Sequence, residues 1–203
     1  MFFRQIRRYG DNFSYIIADE TTREAAVVDP SFNADALTQI LRENKFRLKY
    51  IFNTHGHGDH IAGNGNLKHA FNAKIVAHKM SWISKDISVE DSDTLTVGEI
   101  QIKIIHTPGH TPDSICLLIN GEKLLTGDTL FVGECGRTDL PGGNPREMYH
   151  SLFNKLMKLD DRIEVYPGHD YGAQPHSTIG IERKTNYVLK RRTLKEFIEF
   201  MQC

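Results

Sequence analysis

The chain is short of cysteine, of charge imbalance and of long apolar runs, and each shortage excludes something. Three cysteines in 203 residues, Cys116, Cys135 and Cys203, are too few and too scattered for a disulfide framework, which fits a reducing compartment. Lys and Arg number 25 against 26 Asp and Glu, a formal charge of -1, so no one-signed surface recommends nucleic acid or a membrane as partner. No run of about eighteen apolar residues is present to span a bilayer, and the stretch from Met1 to Arg8 lacks the apolar core of a secretory signal. The expected location is the cytoplasm. At 39% hydrophobic and 25% charged, the composition is that of an ordinary globular chain, and its length points to one domain over 1–203.

What the chain has in quantity is histidine, and it is concentrated. Thr54-His55-Gly56-His57-Gly58-Asp59-His60 places three histidines and an aspartate within six positions, directly behind the apolar run Tyr50-Ile51-Phe52. Without a cation, each of those groups has to be solvated or hydrogen-bonded separately at the end of a strand. A metal turns that liability into binding energy. Three later turns repeat one design, in which an apolar strand ends in a tight turn that aims one His or Asp inward. They are Thr107-Pro108-Gly109-His110, Thr126-Gly127-Asp128 and Tyr166-Pro167-Gly168-His169. Each alone reads as an ordinary capping or core-satisfying residue; together with the first cluster they read as one metal site.

The elements around these turns follow from periodicity. Segments 2–8, 13–18 and 24–28 predict a strand meander, and Asn33 offers a cap to an amphipathic helix over 33–44. A strand over 48–53 leads into the histidine cluster, where Asp59 is expected to cap a second helix. Residues 73–77 predict another strand, and 79–93 a short helix with surface loop. Four strands follow over 94–126, with turns at Gly98-Glu99 and Asn120-Gly121. Pro145 opens a helix ending near Lys158, and 177–186 and 193–201 predict two more. Strands, a ligand turn and a helix recur in both halves, which suggests two packed sheets with helices outside. Cys116 reads as a buried small hydrophobe, and Cys203 as frayed and exposed.

His55-x-His57-x-Asp59-His60 followed by His110, Asp128 and His169, in that order, resembles the metallo-β-lactamase superfamily. The resemblance covers nearly the whole chain and implies an α/β fold, a four-layer αββα sandwich with the metal site at one edge of the two sheets. It also implies ligand roles. In dinuclear members His55, His57 and His110 hold one metal, Asp59, His60 and His169 the other, and Asp128 bridges, an arrangement suited to two Zn(II) ions and hydrolysis. Alternatively His55, His110 and Asp128 form a two-His, one-carboxylate face for a single Fe(II), with positions open to substrate and dioxygen.

Two finer features resemble the glyoxalase II and persulfide dioxygenase branch. Gly133-Glu134-Cys135-Gly136-Arg137-Thr138-Asp139 is similar to a Gly-Cys-Gly-Arg loop of that branch, and its Thr-Asp ending, with His169-Asp170-Tyr171, is closer to the dioxygenases. The implied partner is a small thiol conjugate, glutathione persulfide or an acyl-glutathione, with an oligomer possible. Arg137 offers a fork for a substrate carboxylate, or else a salt bridge with Asp139; Tyr171 offers a phenol near the metal, and Asp59 and Tyr171 are the candidate catalytic groups. Cys135 has no partner base and reads as packing. Two residues depart from the branch: Glu134 before Cys135, and Tyr187 where proline usually follows Asn186. They put the identity of the thiol carrier in question.

Overall fold

Most of the strands are apolar on both faces, so each sheet must be covered on both sides. The computed structural model describes residues 1–202. Cys203, expected to be exposed, lies outside the described residues.

The first sheet takes β1 (Phe2–Ile6), β2 (Ser14–Ala18) and β3 (Glu24–Val28), then crosses over α1 (Ala34–Glu43) to β4 (Arg47–Phe52). It continues through the short α2 (Gly58–Ile61) and α3 (Asn64–Phe71) to β5 (Lys74–His78) and β6 (Ile87–Val89). Spatial order follows chain order, and β3 to β6 run parallel. The second sheet holds β7 (Thr94–Val97), β8 (Ile100–His106), β9 (Ile115–Ile119) and β10 (Lys123–Gly127). A small hairpin of β11 (Leu130–Phe131) and β12 (Glu134–Cys135) and the helix α4 (Pro145–Tyr149) come before its last strands, β13 (Glu164–Pro167) and β14 (Ser177–Thr178). The order is β14-β13-β10-β9-β8-β7, with β10 and β13 parallel. α5 (Ile179–Thr185) and α6 (Leu194–Phe200) complete the chain.

Period-2 alternation sorts the apolar residues into three layers of contact. Tyr15, Ile17, Val28, Phe52 and Val76 meet Ile102, Ile104, Leu117 and Leu125 between the sheets. The opposite faces, Ile16, Val27, Ile51 and Ile75, pack on Leu37, Leu41 and Leu67 of α1 and α3. On the far side, Cys116, Leu124 and Val165 pack on Met148, Leu152, Ile179 and Phe197. This is the expected αββα order, and Cys116 is buried as expected. The Asn120-Gly121 turn has φ of 49° and 72°, the left-handed pair that a tight hairpin of this hand requires.

Four local expectations are corrected. Residues 79–93 form no helix; 87–89 add a parallel strand to the first sheet, because Ile87 and Val89 find apolar cover there. Asn33 stands at the α1 N-cap position without capping: its Oδ1 accepts from Arg8 N and its Nδ2 donates to Ser14 Oγ. Asp59 sits in the first turn of α2 while His57 occupies the cap position, because the carboxylate is drawn towards Asn12, His60 and His169 instead. The helix expected over 177–186 begins with β14, since Ser177 and Thr178 pair with β13 before Thr178 caps α5. The helix from Pro145 does reach Lys158, widening to a π turn over His150–Lys155 and tightening to a 3-10 turn at its end.

Strand direction gathers the ligand turns. β3 and β4 are parallel, and so are β8, β10 and β13 in effect, because β9 is antiparallel to both β8 and β10. The carboxyl ends of these strands share one edge of the sandwich, stitched there by Ile115 N donating to Thr54 O and Phe13 N to Gly168 O.

Candidate metal centre and its cleft

Asp29, the first residue after β3, has a left-handed φ of 45° and is buried. Its carboxylate accepts from Thr54 N at 2.8 Å and Thr54 Oγ1 at 2.6 Å, and its Oδ2 lies 3.0 Å from His60 Nδ1. It therefore holds the start of the histidine cluster and fixes one of its rings. Other outer partners do the same. His110 Nδ1 lies 2.8 Å from the Arg137 carbonyl, His169 Nδ1 3.2 Å from Asp11 Oδ1, and His55 Nδ1 3.2 Å from Thr54 Oγ1, whose own proton goes to Asp29. With those Nδ1 protons directed outward, the Nε2 atoms of His55, His60, His110 and His169 present lone pairs inward.

The inward atoms crowd together. His55 Nε2 and His110 Nε2 lie 2.9 and 3.0 Å from His57 Nδ1, and His60 Nε2 lies 3.2 Å from His169 Nε2. Asp128 reaches between them, its Oδ2 3.4 Å from His169 Nε2, 3.5 Å from His110 Nε2 and 4.0 Å from His55 Nε2, its Oδ1 3.3 Å from His60 Nε2. Buried Asp128 Oδ1 has no hydrogen-bond partner among the described residues. Lone pairs facing each other beside an unsatisfied buried carboxylate oxygen repel and cost energy unless a shared cation lies among them. The donor set therefore fits a metal. Among the described residues, three groups have ligand atoms within 4.8 Å of one another: His55, His57 and His110; His55, His60 and Asp128; and Asp59, His60 and His169.

Electrostatics agree. Burial lowers the His60 imidazolium, but the Asp128 and Asp29 carboxylates outweigh it and hold that ring well above the usual histidine range. Burial, with the charge of His60 behind it, pushes His55 well below, and burial likewise lowers His57. Burial would raise Asp128, yet His60 and His169 hold its carboxyl well below the ordinary value. The pocket draws positive charge to His60 and keeps the His55 and His57 rings neutral, as metal ligands must be.

All seven expected ligand positions thus converge. Asp59 stands at the rim, its Oδ2 accepting from Asn12 Nδ2 at 2.9 Å and lying 3.5 Å from His169 Nε2. From His110 and Asp128 a cleft of about 380 Å³ runs along the 131–139 loop to Tyr187, Phe200 and Met201. Tyr171 flanks it, its exposed ring parallel to that of His169 at 4.8 Å between centroids. Burial, then the charges of Asp11, Asp128 and Asp59, push its phenol up to about 12, which favours the protonated form. Arg137 also lines the cleft, but its Nε and Nη2 both donate to Asp139 at 2.6 Å, the salt bridge offered as the alternative to a substrate contact. Burial and Glu134 push the Cys135 thiol up to about 12, in keeping with a packing role.

Glycine is required where chain meets chain. A Cβ at Gly136 would stand 1.8 Å from the Asp128 carbonyl oxygen, and one at Gly127, where φ is 48°, would stand 2.5 Å from Thr54 Oγ1. Sequence reading missed Asp29, Asp11 and Asn12. Asp29 had a signal: Val27-Val28-Asp29-Pro30 is a strand ending in an acid before proline, the same design as the ligand turns. Asp11 and Asn12 had none, since they reach His169 through an isolated pairing of Asn12 with that residue, 157 positions away.

Compared with known proteins, the chain matches the family described as the metallo-beta-lactamase superfamily over residues 7–85 and 79–169. It is 35% identical over 194 residues to the mitochondrial persulfide dioxygenase ETHE1 of Homo sapiens, covering 93% of this chain and 75% of that protein. It is 40% identical over 173 residues to the hydroxyacylglutathione hydrolase of Pelagibacter ubique, covering 83% of this chain and 71% of that protein. The crystal structure of ETHE1 from Myxococcus xanthus matches it with a TM-score of 0.94 at 36% identity, over 100% of this chain and 90% of that one.

Proposed function

Because the chain belongs to the metallo-beta-lactamase superfamily, in the branch of persulfide dioxygenases and hydroxyacylglutathione hydrolases, we propose that it is a metal-dependent persulfide dioxygenase. Its substrate is a low-molecular-weight persulfide, glutathione persulfide being the model compound, and the whole of 1–203 serves as one catalytic domain. The observation that carries this reading is the likeness to ETHE1 proteins over nearly the full chain, in sequence and in fold.

The overall reaction balances as persulfide plus dioxygen plus water giving thiol plus sulfurous acid: the sulfane sulfur gives up four electrons and dioxygen takes four. In this reading His55, His110 and Asp128 would hold one Fe(II), which would supply the redox chemistry when bound. His57, Asp59, His60 and His169 would then complete the surroundings and hold the carboxylate in place. The Tyr171 phenol donates a hydrogen bond to the sulfur end of the substrate or to the leaving thiolate. Arg137 pairs with a substrate carboxylate through the guanidinium nitrogen that Asp139 leaves free.

A second reading rests on a specific observation, the tightness of the two other groups. His57 stands nearer than Asp128 to both His55 and His110, and Asp59, His60 and His169 form a further set, a donor complement for two Zn(II) ions and thioester hydrolysis. Oxygen consumption with glutathione persulfide separates the two. Iron-loaded protein is expected to consume oxygen and release sulfite, and His110→Ala to do neither. Thiol release from an acyl-glutathione by protein carrying two zincs, without oxygen uptake by fully iron-loaded protein, would reject the dioxygenase.

A further inference from the structure

The two departures from the branch pattern, Glu134 and Tyr187, touch each other. The Tyr187 phenol donates to Glu134 Oε2, tying the 133–137 turn to the segment after α5 and holding Glu134 in the lining of the cleft. The other carboxylate oxygen, Oε1, has only the long 3.4 Å contact from Cys135 N, so it retains accepting capacity. The anchor is well supported: Asn186 Nδ2 donates to the Glu134 carbonyl at 3.1 Å, and the Tyr187 ring meets Phe200 edge-on at 5.9 Å. Arg137 lies on the same cleft with its guanidinium Nη1 unpaired among the described residues, its other two nitrogens being committed to Asp139. The cleft is therefore lined by both a held carboxylate and a guanidinium with one nitrogen free.

We infer that Glu134, held by Tyr187, is a specificity-determining residue that binds the ammonium group of the thiol carrier while Arg137 takes the adjacent carboxylate. The pair reads the zwitterionic α-amino-acid end of the carrier, and a thiol lacking a free amine is discriminated against. This rests on the reading of the cleft as a thiol-conjugate site, though not on which reaction occurs there. An ammonium brought to Glu134 meets a charge-assisted hydrogen bond in a half-enclosed cleft; an acylated amine brings no charge and an added group to the same place.

The test uses the full chain and two probes whose capped sulfur cannot be turned over: S-methylglutathione and its N-acetyl derivative. By calorimetry the first is expected to bind about tenfold tighter than the second, the scale of a hydrogen bond to a charged group. Glu134→Gln is expected to abolish that difference by weakening the first alone, and Tyr187→Phe, which frees the carboxylate without removing it, to reduce it about threefold. Equal binding of both probes by the unaltered protein, or a Glu134→Gln variant that weakens both alike, overturns the inference. Discrimination between the probes by a protein that consumes no oxygen with glutathione persulfide upholds it and rejects the dioxygenase reading alone.

Discussion

Single side chains around the candidate centre act through their partners more than through their own bulk. Asp29 touches no proposed substrate, yet it satisfies Thr54 N and Oγ1 and orients His60. Asp29→Ala leaves buried donors without acceptors and is expected to cost about 2–4 kcal/mol by chemical denaturation in chelator. Because the His60 ring loses its orienting bond, the same variant should also bind metal about 10–100-fold more weakly in a competitive titration. A variant as tight as the original would show that His60 needs no such support. Gly136→Ala is a different kind of lesion, a steric one: the added methyl meets the Asp128 carbonyl oxygen, so the 133–137 turn must move.

At the scale of elements, α6 matters because it closes the cleft. Thr193 and Glu196 form a reciprocal cap at its start, Phe197 is wholly buried against α4 and its continuation, and Phe200 and Met201 reach the cleft wall. Thr193→Ala is expected to cost about 1 kcal/mol of stability, measured by denaturant unfolding, and to loosen the wall that Tyr187 leans on. The β2–β3 and β7–β8 hairpins join the two sheets at the edge opposite the centre. There the Asp19 carboxylate accepts from Thr21 N, Thr22 Oγ1 and Glu99 N, and these bonds, led by the one from Glu99, hold its carboxyl below the ordinary value. A folded-state value depressed in this way adds stability above the unfolded value, near pH 4, and that stability is lost as pH falls through the folded value. Acid unfolding curves should therefore be shallower for Asp19→Asn than for the parent below about pH 4; identical curves would remove Asp19 from the account.

For the whole molecule, the centre is a clasp. Its candidate ligands come from both sheets, 55–60 following β4 in the first and His110, Asp128 and His169 following β8, β10 and β13 in the second. A cation there binds only the folded chain, so adding metal at 100 times its dissociation constant should contribute about 2.7 kcal/mol. For a chain of this size that raises Tm by about 5–10 °C. Chelator should reverse the shift, and His110→Ala should abolish most of it. No helix among the described residues is long and apolar enough to cross a membrane.

The candidate ligands and the stacking of the layers were legible in the residue pattern alone. Ligand turns announce themselves because a histidine or aspartate behind an apolar strand and a glycine is a local pattern, and period-2 burial on both strand faces requires cover on both sides. The remaining contacts depended on how the chain closed on itself. Asp11 and Asn12 reach His169, and Glu134 meets Tyr187, across separations in sequence where no periodicity carries information. The strand at 87–89 and the idle caps at Asn33 and Asp59 turned on which partner was nearer once the sheets had closed, a competition that local propensity does not describe.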